Sequence, residues 1–131
     1  MNHPRILVRV AAAVLVLAAV FGRARSAGAQ GKSTTLKAYV IDSACTFIKN
    51  LKKPVNPACA VACAKAGSPL VLQTASGVIY WPISDATPAQ GQNDRLLEYA
   101  GKQVSVTGKV FDKGGSHAIV IEKIAAASAG K

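Results

Sequence analysis

A mainly β domain with two short helices, folded as a five-stranded OB-like Greek-key barrel behind a cleaved N-terminal signal peptide, is what three features of this sequence predict. The first is the leader. Met1 to Arg9 is basic and acid-free, Val10 to Phe21 is an unbroken run of 12 apolar residues, and Ala27-Gly28-Ala29 is a small-residue exit. The second is a set of five strand-like segments separated by Gly, Pro and Asn. The third is their order with the helices, β-α-β-β-α-β-β, in which the second helix falls between strands three and four, as in an OB-fold. Another five-stranded α+β roll is the alternative.

Cleavage after Ala29 leaves 102 of the 131 residues, with 12 basic and 6 acidic side chains. Twelve apolar residues fall short of the ~20 that a membrane-spanning helix needs. An exported chain, periplasmic or secreted, with no transmembrane segment after cleavage is therefore expected; an uncleaved anchor is the competing reading. Residues 30–131 are sized for one domain, with an ordered core over 34–124 and a small-residue flexible tail over 125–131. The basic excess would ordinarily suggest nucleic acid, but export argues against that partner.

Thr35 to Asp42 opens the domain as a strand, with Leu36, Ala38 and Val40 alternating against Lys37, Tyr39 and Ile41. Ser43 to Lys53 is irregular by its pattern. Asn56 is a cap, Pro57 suits the first helical position, and Gly67 ends the helix over Ala58 to Ala66. Leu70–Thr74 and Val78–Ile83 form a hairpin around Ala75-Ser76-Gly77. Pro82, Pro88 and Gly91 mark a loop, and Asn93 is expected to cap a helix over Asp94–Ala100, closed by Gly101. Gln103–Phe111 and His117–Ile124 form the last hairpin around Gly114-Gly115. Gly108, in the middle of the fourth strand, marks a sharp bend suited to barrel closure. In Ile119-Val120-Ile121 alternation leaves the inward face undecided.

The run Tyr39-Val40-Ile41-Asp42-Ser43-Ala44-Cys45, the segment Cys59-Ala60-Val61-Ala62-Cys63 with Lys65 to Val71, and the later Ala100 to Val110 together resemble a group of small exported bacterial proteins of unassigned function. These carry a cysteine-containing insert and an OB-fold-like second half. The resemblance spans nearly all of residues 30–131. It implies export and fold, and carries over no activity and no catalytic residue.

Three cysteines in an exported domain of this size require an account. Cys59 and Cys63, four apart on a helix, share a face but sit too far apart for an easy bridge. Cys45 is the better partner, and a Cys45–Cys63 disulfide with Cys59 as a free thiol is expected. Such a bridge stabilises by roughly 3 kcal/mol in the chain-entropy account. The competing use is a closed set of Cys45, Cys59, Cys63 and His117 around Zn or Cu(I), or a cycling redox thiol. His117 as a solvated turn residue is the plainer alternative. Asp42 is expected to cap the turn after strand one. No nucleophile elbow or paired-carboxylate pattern accompanies these residues, so no enzyme is expected.

Lys49, Lys52 and Lys53 form a basic cluster beside Phe47, either a solvated loop edge or an anion-binding surface. The expectation drawn from all this is a non-enzymatic exported binding module with a disulfide-stapled insert and no cofactor. Its partner would be a small ligand, an envelope component or a protein. The alternative is an envelope metal-binding or thiol-redox protein built on the three cysteines and His117.

Overall fold

In a computed structural model, residues 30–53 and 56–128 are described. The leader, its cleavage site and the last three residues of the expected tail lie outside them. Five strands close into a barrel in the order β1-β2-β3-β5-β4. They are β1 (Lys32–Asp42), β2 (Leu70–Gln73), β3 (Ile79–Pro82), β4 (Gln103–Lys113) and β5 (Ser116–Ala126). Three short helices join them: α1 (Ser43–Ile48), α2 (Pro57–Lys65) and α3 (Asn93–Leu96), the last tightening into a 3₁₀ turn over Leu97–Tyr99. This closed barrel is compatible with the OB-like layout. Among the described residues no helix is long and apolar enough to cross a membrane.

β1 is long enough to serve two neighbours. Its first half pairs antiparallel with β4, Lys32 to Tyr39 opposite Val110 to Gln103, and its end pairs with β2, Tyr39 to Asp42 opposite Gln73 to Leu70. Closure is made by a short parallel pairing of β3 with β5, Tyr80 to Pro82 beside His117 to Ile119. Ala38, Val40, Leu70, Leu72, Val104, Val106, Ile119 and Ile121 point inward and are buried. Ala60 and Ala64 of α2, Leu96 of α3 and Ala100 close that core. The inward choice left open by Ile119-Val120-Ile121 thus falls on the two isoleucines.

Gly108 does mark an irregularity: the β4–β5 register shifts between Thr107 and Gly108, and a Cβ there would overlap the Val120 carbonyl oxygen. Only glycine allows the two backbones this approach. At the far end of β4, Gly114 and Gly115 take φ of 57° and 80° and form the tight turn expected of Gly-Gly.

Four features differ from the sequence expectation. There are three helical segments rather than two, because Asp42 caps the irregular stretch into α1. Asn93 is the first residue of α3 rather than its cap. Its side chain reaches across to α2 and β2, accepting from the Leu70 N–H at 2.8 Å and donating to the Ala64 and Ser68 carbonyls at 3.2 and 2.8 Å. β1 starts at Lys32, ahead of the expected core boundary at 34. β5 runs to Ala126, and the Ala127 N–H donates to the Gln103 carbonyl at 2.9 Å, so the stretch assigned to the tail is paired at its start.

A second, smaller core lies on the outer face of β1–β2–β3. Ile41, Cys45 and Val71 are buried there, with Leu51, Ile79 and Trp81 packed around them. Ile41 points away from the barrel interior, yet it is buried because the insert folds back over that face. This fold-back brings the cysteines together.

Candidate thiol centre

The centre is built from two helix starts. Asp42 ends β1 almost fully buried, at 1% exposure, and its Oδ1 accepts from the Cys45 N–H at 2.9 Å. The Thr46 hydroxyl donates to the Asp42 carbonyl at 2.9 Å, closing the first turn of α1. Cys45 is thereby fixed under the insert, against Ile41 and Val71. At the start of α2, Asn56 Oδ1 accepts from the Ala58 and Cys59 N–H groups at 2.9 and 3.4 Å, with Pro57 at the first helical position. Cys63 follows one helical turn later on the same face. Gly67, at φ +100°, ends α2, and the Ser68 N–H donates to the Cys63 carbonyl at 3.0 Å.

The outcome is convergence of all three sulfurs. The Sγ atoms of Cys45, Cys59 and Cys63 lie within 4.8 Å of one another, with Cys45 buried, Cys63 half-buried and Cys59 exposed. All three are thiols here, so the expected Cys45–Cys63 bridge is not formed. A pocket of about 310 Å³ opens at the centre, lined by Ile41, Asp42, Lys49, Leu51, Asn56 and Ala60 together with Cys45 and Cys59.

No protein-family model, curated protein or solved structure matches this chain.

The electrostatics disfavour a free thiolate at the buried end. The Asp42 carboxylate, accepting a hydrogen bond from the Cys45 thiol, pushes that thiol from 9.0 up to about 11, with burial and the Asp42 charge adding and Lys49 opposing. Burial also raises Cys63, helped by the Asp42 charge and by Cys59 beside it. The Cys45 and Cys63 thiols therefore stay protonated near neutrality unless an ion replaces the protons. Asp42 and Lys49 set that balance from opposite sides.

His117 stands apart from this group. Its Nδ1 is 2.6 Å from Asp112 Oδ1, its cross-strand neighbour in the β4–β5 hairpin, and its ring lies 5.5 Å from Tyr80. It lines a different pocket, with Phe47, Trp81 and Gly115. The four-ligand set is thus reduced to its three cysteines. The register sets His117 opposite Asp112, which takes up the imidazole. Of the basic cluster, Lys49 borders the thiol pocket, while Lys52 and Lys53 are exposed on the surface. The sequence could have signalled the centre through Asp42 and Asn56: each caps the helix that presents a cysteine near its start.

Proposed function

We propose that this protein is an exported, non-enzymatic binding module whose ligand is a soft metal ion held by the thiolates of Cys45, Cys59 and Cys63. The single observation that carries the reading is the mutual approach of the three sulfurs to within 4.8 Å. Soft thiolate sets favour Cu(I) or Zn. Three protein ligands leave a further coordination position for a small ligand, and the pocket beside Cys45 and Cys59 gives it room. The barrel is read as an OB-like scaffold, the chain as periplasmic or secreted after loss of residues 1–29, and nucleic acid as no partner.

A second reading rests on the same proximity: a disulfide between two of the cysteines, Cys45–Cys63 in the first instance, with Cys59 free beside it. A bridge uses two sulfurs, whereas a metal uses all three. The test is anaerobic titration of the reduced, full-length protein with Cu(I) and separately with Zn. One equivalent should bind, protect three thiols from alkylation and be released by a chelator with all three restored. Cys45→Ser, Cys59→Ser and Cys63→Ser should each weaken binding at least tenfold. Retention of binding in Cys59→Ser, or a protein isolated with one titratable thiol, would instead favour the stapled module. In that case Cys63→Ser should cost about 2–5 kcal/mol of stability and Cys59→Ser much less.

A further inference from the structure

The insert that carries the thiol centre also presents an apolar tip. Ile48, at the end of α1, is 85% exposed and Phe47 beside it 57%. Most other large apolar side chains among the described residues are covered, and the remaining exception, Ile83, is 38% exposed. The tip rests on a firm base, because the Phe47 ring stacks on Trp81 with centroids 6.1 Å apart and planes 12° apart. Directly after it come Lys49, Lys52 and Lys53, all exposed. From Ser43 to Ser84 the chain has no Asp or Glu at all.

We propose that the Phe47–Ile48 tip, flanked by Lys49, Lys52 and Lys53, docks on an anionic lipid surface. Apolar side chains that project from a surface fit an interface into which they can sink, while lysines beside them extend to the headgroups. Each lysine near a negatively charged leaflet adds attraction that salt screens. A second copy of the chain is a poor occupant, since a two-fold contact around this tip would set lysines against lysines. The inference uses neither the thiols nor a metal, so it stands or falls separately from the proposed function.

Trp81 is the sole tryptophan of the chain and lies directly against Phe47, so it reports on this face alone. The experiment mixes the full-length protein with phosphatidylglycerol vesicles carrying brominated acyl chains, or with brominated phosphatidylcholine vesicles, and follows quenching of Trp81 fluorescence. Strong quenching is expected with the anionic vesicles at low salt, falling at least fivefold in 0.5 M salt or with the neutral lipid. Ile48→Glu should abolish it, and the pair Lys52→Gln with Lys53→Gln should weaken it at least fivefold. All three positions are exposed, so the fold should survive, as circular dichroism would register. Equal quenching by both lipids, or equal quenching in Ile48→Glu, would overturn the proposal; attachment through Val10 to Phe21 would give that second result. Binding of polyglutamate with no vesicle quenching would also overturn it and give the surface to an acidic protein.

Discussion

Asp42 joins the backbone and the chemistry of the thiol centre in one side chain. Its carboxylate caps α1 through the Cys45 N–H, and the same carboxylate holds the Cys45 thiol up to about 11. Asp42→Asn separates the two roles, since an amide oxygen can still accept from that N–H but carries no charge. The variant should stay folded, ionise Cys45 at lower pH in a thiolate-absorbance titration, and bind Cu(I) or Zn more tightly at neutral pH. An unchanged titration would mean that burial alone sets the thiol. The linked stability has a defined sign. The unfolded chain releases the Cys45 proton near 9.0 and the folded chain near 11, so this contribution is complete below the first value and fades as pH rises to the second. Metal affinity should run the other way and increase with pH, because the ion displaces those protons.

Asn93 ties together elements that backbone pairing leaves separate. It accepts from the first N–H of β2 and donates to the Ala64 carbonyl at the end of α2 and to the Ser68 carbonyl in the turn that follows, so one side chain fixes α2, β2 and α3. Asn93→Ala would leave the Leu70 N–H and the Ser68 carbonyl without this partner, whereas the Ala64 carbonyl would still accept from the Gly67 N–H at 3.1 Å. A loss of about 2–4 kcal/mol is expected in urea denaturation, since each buried unsatisfied group costs about 1–3 kcal/mol and this site is partly wetted. A loss below about 1 kcal/mol would mean that water replaces the amide freely. Gly101 serves the opposite end of α2. It sits at φ +79°, where a Cβ would lie 2.5 Å from Pro57 Cα, so the turn before β4 packs directly on the helix start that carries Cys59. The insert is thus held at both ends of α2.

At the scale of the molecule, barrel closure depends on how sharply the two long strands can coil. β4 and β5 pair over nearly their whole lengths, with the register shift next to Gly108. Gly108→Ala places a methyl group against the Val120 carbonyl and should destabilise by at least about 1–3 kcal/mol, the cost of overpacking. A thermal melt and a native-state hydrogen-exchange map of β5 would check this. The expected pattern is faster exchange around Val120 and the parallel β3–β5 seam, with β1–β2 less affected. Uniform loss across the barrel would point to global collapse rather than a local clash.

Much of this architecture was legible in the residues. Alternation in Leu36–Val40 and Val104–Val110, Gly-Gly at the last turn, Asn56-Pro57 at a helix start and a mid-strand Gly108 are local signals, and local geometry answers to local sequence. Composition and the three closely grouped cysteines likewise marked the insert as the place to look. Which side chains meet there was decided only by the tertiary structure. The fold-back of α1 over β1–β2–β3 buries Ile41 and Cys45, and no periodicity announces a covering segment this short and irregular. The inward face of Ile119-Val120-Ile121 followed from pairing partners, and Asn93 turned from an expected cap into a bridge because its partners are 23 to 29 residues away in the chain. His117 fell out of the thiol set for the same reason: cross-strand register gave its ring to Asp112. The sequence by itself determined the five strands, the helices α2 and α3 and the residue types of the centre, but not α1. Contact between residues distant in the chain depends on packing and register, and these decided that three sulfurs, and not the imidazole, converge.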